Sequence, residues 1–377
     1  MPKSLVVCCD GTWNVPDEAR DGVAAPTNVA KLALGVEVSD DQQLFYEPGV
    51  GTAGGERLVG GAFGYGLSAN IRNCYRFLAE RYEPGDKLFL FGFSRGAYTA
   101  RSLGGLIRNC GILRPDNVER VEEAFGFYRD RSSQTHPSAL ASKIFRRTYS
   151  YREDEIHFIG VWDTVGALGI PDAIPGWEEI SKRVGGWQQL WGFHDTRLSS
   201  RVRNAFHAVS IDEQRRPFKP TLWTQPAAVE GQTVEQVWFS GVHTEVGGGS
   251  RDASLSDIAL LWMVQRAQAC GLALAPGSLQ AGARLNQDDD GGSDGTIAPD
   301  YTGPIVDSRR GFYRVMHAYH RLSELPVTAR PPEFAPGQSI ASSAMRRHGE
   351  RVDGYAPPGI DDYLRALPDA TPVPEGS

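Results

Sequence analysis

Five short stretches of the chain are dominated by apolar residues, and each stops at a polar or glycine-containing turn: Leu5 to Cys9, Leu88 to Phe91, Ile156 to Trp162, Ala205 to Ile211 and Val234 to Phe239. Runs that do not alternate with polar residues predict strands of a parallel sheet covered on both faces. Gln43 to Glu47 reads as one more short strand. Between these runs the spacing changes to three and four. Ile71, Cys74, Tyr75 and Leu78 mark an amphipathic helix over Asn70 to Tyr82, and Ile258, Leu261, Trp262 and Val264 mark another over Asp257 to Gln268. Thr27 to Leu34 and Ala97 to Leu106 read as further helices. Strands that alternate with helices predict an α/β fold with a mostly parallel central sheet and helices on both faces.

Three tracts interrupt that alternation. Gly54 to Gly66 is rich in glycine and predicts a loop beside the strand ends. Val118 to Tyr151 is charged and helical, and Gly169 to Ser200 gathers Gly, Pro and Trp; residues 114–150 and 169–200 are the candidate cap or lid insertions. From Leu272 onward the chain turns polar and irregular, with an acidic run over Asp288 to Gly295 that lacks the closing glutamate of a calcium loop. The expected layout is therefore one catalytic domain over 1–270, with 271–377 as an irregular extension packed on it.

Composition narrows the function. A net charge of −7 without a Lys/Arg-rich run argues against nucleic acid as the partner. Five cysteines are scattered without metal spacing, which predicts reduced thiols and a reducing compartment of synthesis. The first strand begins by Leu5, so a signal peptide is not expected, and no run approaches the ~18 apolar residues of a membrane span. No cofactor motif stands out, and the cytoplasm is the expected place of synthesis.

The chemistry sits at the turns. Gly92-Phe93-Ser94-Arg95-Gly96 joins a strand to a helix, the context that makes Gly-x-Ser-x-Gly a nucleophile elbow. The neighbours two places either side of such a serine must be small, and the following helix N-terminus favours a developing negative charge. Asp163 directly follows the third long run, and His243 lies in the glycine-rich loop after the fifth. The order Ser94, Asp163, His243 is that of the α/β-hydrolase nucleophile, acid and base. Asp212 follows the fourth run by the same logic and is the rival acid. Oxyanion donors are expected from the Arg95 N–H and from Gly11 or Thr12, in a loop that also reads as a plain Asp-Gly turn. Trp187 and Trp191, with Trp177 and Phe193 near them, offer an acyl-chain surface or an ordinary packed loop. Two other readings compete: metal-dependent hydrolysis through Asp10, Asp163, His243 and Asp257, and a catalytically silent binding protein of the same fold.

Several separate stretches together resemble one family: Val7 to Asn14, Pro48 to Thr52, Phe91 to Arg101, Gly160 to Gly166, Ala208 to Glu213 and Trp238 to Gly248. The resemblance, over about residues 4–270, is to the α/β-hydrolase domain of type VI secretion lipase effectors of the phospholipase class. It implies a serine hydrolase with nucleophile Ser94, acid Asp163 and base His243, acting on a lipid or other ester. It further implies peripheral contact with membranes and export without a signal peptide. Where that family often has Ile-His-x-Ser, this chain has Ile340-Ala341-Ser342-Ser343.

Overall fold

A computed structural model of the chain describes residues 2–11, 19–20, 23–49, 60–130, 132–152, 155–165, 197–224, 229–284, 296–309, 313–314, 317–324, 336–366 and 370–374. Eight parallel strands form one sheet: β1 (Ser4–Cys9), β2 (Gln42–Glu47), β3 (Lys87–Phe93), β4 (Ile156–Trp162), β5 (Val202–Ser210), β6 (Thr233–Phe239), β7 (Gln338–Ala341) and β8 (Ala370–Thr371). Their spatial order is β8-β7-β6-β5-β4-β3-β1-β2. The chain passes from β1 out to β2 on one side and then returns to β3 on the other. That reversal opens a crevice at the carboxyl ends of β1 and β3, where open α/β sheets place their sites.

Both faces are buried, so the strands need no polar alternation. Phe89, Phe91, Phe158, Trp162 and Phe206 make one face aromatic, and it packs on α1 (Asn28–Gly35) and α7 (Ser254–Ala269). Leu5, Val7, Leu88, Leu90, Ile159 and Val161 make the other face aliphatic, against α2 (Gly60–Arg81) and α3 (Arg95–Cys110). A buried ion pair, Lys31 Nζ to Asp257 Oδ1 at 2.5 Å, ties α1 to α7.

Three expectations change. The first turns of α2 lie within the tract expected to be a glycine loop, because a 22-residue helix anchored by Leu67, Ile71 and Cys74 overrides the cost of its glycines. Residues 114–150 do not cap the sheet's carboxyl end. Their helices α4 (Val121–Arg129) and α5 (Leu140–Tyr149) bond the far end of α3 instead, through Cys110 Sγ to the Ala124 oxygen and Arg146 Nη1 to the Asn109 oxygen. Val121, Ala124 and Phe145 belong to the aliphatic core, which fixes that placement. The 271–377 stretch is also more than an irregular extension. It supplies β7, paired to β6 through Trp238 and Ile340, then β8, and the short helices α8 (Arg321–Glu324), α9 (Ser342–Gly349) and α10 (Ile360–Ala366). Four and two residues at a sheet edge are too short to show as an apolar run.

Candidate active site

β3 passes into α3 through a single residue, Ser94, whose φ of 56° and ψ of −118° lie where L-residues are strained. The turn leaves no room on either side. A Cβ on Gly92 would fall on the Gly96 carbonyl, and one on Gly96 would lie 2.5 Å from the Asp10 carbonyl oxygen and closer still to that of Cys9. Ser94 N–H continues the ladder to the Trp162 oxygen at 3.1 Å, which sets the elbow beside the end of β4.

Asp163 is the first residue past β4 and has a φ of +36°. Its backbone N–H donates to the Ala208 oxygen at 2.7 Å, and that of Thr164 donates to His207 Nε2 at 3.1 Å. These bonds hold the strained turn. His243 is the first residue of α6 (His243–Gly247), and its ring lies between Phe93 and the edge of Phe218. His243 Nδ1 is 2.6 Å from Asp163 Oδ2, and Nε2 is 2.9 Å from Ser94 Oγ. A carboxylate only accepts, so Nδ1 carries the proton and donates. Nε2 of the neutral ring is then left to accept from the Ser94 hydroxyl. All three residues are buried.

Electrostatics favour a neutral base beside an ionised acid. Burial alone would push the Asp163 carboxyl up; the Arg321 guanidinium and His243 more than offset it and hold the group well below the usual carboxylate range. Burial lowers His243, while its bond to Asp163 works in the other direction. His207, wholly buried in β5, is pushed down to about 3 and stays neutral.

Two groups of contacts were hidden from the sequence. Arg321 forks onto Asp163, with Nη1 2.6 Å from Oδ1 and Nη2 3.0 Å from Oδ2. It lies in the stretch read as polar and irregular, and one buried arginine leaves no periodic signal. Glu213 pairs with Arg215 at 2.7 Å, accepts from the His243 backbone N–H at 3.4 Å, and so fixes the start of α6. Arg215 in turn lies 3.6 Å over the Phe218 ring that edges His243. Asp212, the rival acid, turns away: its Oδ2 accepts from the Gly241 N–H and the Tyr355 hydroxyl, and burial pushes its carboxyl up to about 7.

The remaining candidates are dispersed. Gly11 N–H donates to Asp10 Oδ1 at 2.6 Å, so it is not the free oxyanion donor that the sequence predicts. Asp10 Oδ2 accepts from Thr27 and Tyr46, so the carboxylate ties the end of β1 to the start of α1 and to β2. Arg95 opens α3 directly beside Ser94. Thr12, Trp187 and Trp191, like Trp177 and Phe193, lie outside the described residues. The four groups of the metal reading do not converge, since Asp257 is engaged by Lys31 and the Ala298 N–H. Among the described residues no three His, Cys, Asp or Glu side chains are grouped to hold a metal ion.

Residues 3–266 match the family model of the type VI secretion system phospholipase effector Tle1-like catalytic domain. The chain belongs to the Tle1-like family. This family is one of lipase-class hydrolases, and the match ends before Arg321. An uncharacterised Saccharomyces cerevisiae protein, YEL023C, is 31% identical to the Tle1-like chain over 245 residues, covering 59% of this chain and 33% of that one. Among solved structures, an uncharacterised Pseudomonas aeruginosa protein is similar at 19% identity and a TM-score of 0.40, over 72% of this chain and 46% of that one. The Tle1 effector bound to the VgrG spike of the type VI secretion system gives 18% identity and a TM-score of 0.36, over 66% and 51%. The Tle1-like chain thus spans between a third and about half of the length of these relatives. Among its described residues no helix is long and apolar enough to cross a membrane.

Proposed function

We propose that this chain is a serine hydrolase of carboxylic esters, with the acyl esters of lipids or phospholipids as its substrates. The observation that carries the reading is the unbroken relay from Ser94 Oγ through His243 to Asp163, at 2.9 and 2.6 Å. In this mechanism His243 Nε2 takes the Ser94 proton as the hydroxyl attacks the ester carbonyl, and returns it to the leaving alcohol. Asp163 keeps the proton on Nδ1 in the resting state and stabilises the imidazolium that forms. Water then hydrolyses the acyl-serine by the same route in reverse. The Arg95 N–H, at the start of a 16-residue helix, is the proposed oxyanion donor, because a helix N-terminus favours a developing negative charge.

Membership of a phospholipase effector family supports a lipid ester over a small soluble one. It also supports export through a type VI system and peripheral contact with a membrane. Trp187 and Trp191 are the residues proposed to receive the acyl chain. Each buried methylene contributes about 0.8 kcal/mol, so two should raise kcat/KM roughly tenfold until the pocket is full.

The deciding experiment compares wild type with Ser94→Ala on p-nitrophenyl esters of increasing chain length, on intact phospholipid, and with a fluorophosphonate probe. Wild type should be labelled and should prefer medium chains to acetyl. Ser94→Ala should melt at the wild-type temperature with neither labelling nor hydrolysis. Hydrolysis by folded Ser94→Ala at the wild-type rate refutes the serine mechanism.

A further inference from the structure

We propose that Arg321, from a part of the chain beyond the family match, is a positioning residue of this site: its guanidinium fork holds the Asp163 carboxylate in the orientation that aligns His243 on Ser94. The inference rests on the Ser-His-Asp reading given above.

The geometry is that of a clamp. Each terminal nitrogen of Arg321 takes one oxygen of Asp163, and each also donates to a main-chain carbonyl, Nη1 to Ser210 at 2.8 Å and Nη2 to Phe218. The Ser210 carbonyl ends β5 and the Phe218 carbonyl lies in the segment that follows it, so the fork is fixed to the sheet's end and cannot rotate with its own short helix. Ser210 N–H meets the same Oδ1 at 3.0 Å. Asp163 Oδ1 thus takes two structural donors, and Oδ2, held by Nη2, is left facing His243 Nδ1–H at 2.6 Å. The Arg321 side chain has no exposure to solvent, and among the described residues its Nε is a buried donor with no hydrogen-bond partner. Two-pronged recognition of a carboxylate is a property of arginine that lysine does not share.

Charge points the same way. With Arg321 present, a neutral imidazole leaves the buried cluster balanced, and protonating it adds an uncompensated charge. Without Arg321, Asp163 has His243 as its nearest cation and would draw a proton onto the base. The other charged or titratable groups facing the pair do not replace it. Glu213 and Arg215 act on His243 with opposite signs from one turn, and His207 in β5 is held neutral by burial. Arg101 on α3 directs its guanidinium to the Thr221 oxygen and the Trp223 ring.

The test uses the full chain with Arg321→Gln, Arg321→Lys and Ser94→Ala. It reads kcat and KM for a soluble p-nitrophenyl ester against pH, and the low-field proton resonance of His243 Nδ1–H in the resting protein. Arg321→Gln should leave KM unchanged and lower kcat by about a hundredfold, the scale of a small misplacement of reacting groups. Its acid limb should move up by about one pH unit, because a base next to an unbalanced carboxylate is easier to protonate. Arg321→Lys keeps the charge and loses the fork, so it should keep the acid limb, recover part of kcat and broaden the resonance. Folded Arg321→Gln with wild-type kcat and acid limb overturns the proposal. If that variant does not fold, Arg321→Lys with unchanged kcat and resonance overturns it equally. Activity retained by Ser94→Ala sinks the underlying mechanism and the proposal with it. An inactive Ser94→Ala beside a fully active Arg321→Gln sinks the proposal alone.

Discussion

Replacing Asp163 with asparagine changes one oxygen to an NH2, and the structure dictates which. Oδ1 receives the Ser210 N–H at 3.0 Å and Arg321 Nη1 at 2.6 Å, so the amide oxygen must take that place. The NH2 then occupies the Oδ2 position, facing His243 Nδ1 at 2.6 Å and the Arg321 Nη2 donor at 3.0 Å. Two consequences follow. His243 must accept at Nδ1, which moves its proton to Nε2 and leaves nothing to take the proton of Ser94. Loss of the working tautomer is expected to lower kcat by ~10³–10⁴, or about 4–5.5 kcal/mol of barrier. In addition, a buried arginine loses its counter-ion, which costs about 3–5 kcal/mol of stability. The two effects separate when kcat is measured on a soluble ester per molecule still folded at the assay temperature, with Asp212→Asn as the control. Asp212→Asn should stay near wild type, since Asp212 contacts Gly241 and Tyr355 and not the imidazole. Folded Asp163→Asn with kcat within about tenfold of wild type, or Asp212→Asn as the weaker enzyme, refutes the assignment of the acid.

Gly96→Ala puts a methyl group against the Cys9 and Asp10 carbonyls, so the elbow and the end of β1 must part; thermal unfolding should report a loss of about 1–3 kcal/mol, and fluorophosphonate labelling should slow. Lys31→Met leaves Asp257 buried with, among the described residues, the Ala298 N–H as its remaining partner, and should cost about 3–5 kcal/mol in denaturant melts. Because α1 and α7 lie on the aromatic face away from the elbow helix, kcat per folded molecule should not change in Lys31→Met.

What the sequence made legible is what local pattern encodes. Leu88 to Phe91 could be read as a strand because both of its faces are buried, and Ser94 because a small-residue turn must follow it. Asp163 and His243 were visible as polar residues immediately after such strands. The limits have physical causes. β7 reads Gln-Ser-Ile-Ala, a four-residue strand one place in from the sheet's edge with one strongly apolar residue, and it gains its place by pairing with β6 and β8. The start of α2 is glycine-rich, and its helicity depends on the body it joins rather than on propensity. Arg321 was invisible because burial of a charged side chain depends on its partner, and that partner is 158 residues away. Glu213 ended one of the family-like stretches and Arg215 and Phe218 lay just beyond it, but only the folded turn shows that they flank the imidazole.

The separation of Arg321 from the rest of the site also bears on when the site is complete. Synthesis runs from the N-terminus, and parts of a chain begin to fold as they emerge. Six strands, and with them Ser94, Asp163 and His243, are in hand before Arg321, β7 and β8 exist. In that interval the acid has no clamp, and β6 has an open edge where Trp238 later meets Ile340. A nascent chain therefore carries the reacting groups without the part that aligns them. The order of residues along the polypeptide delays the proposed ester hydrolysis until the segment carrying Arg321 docks.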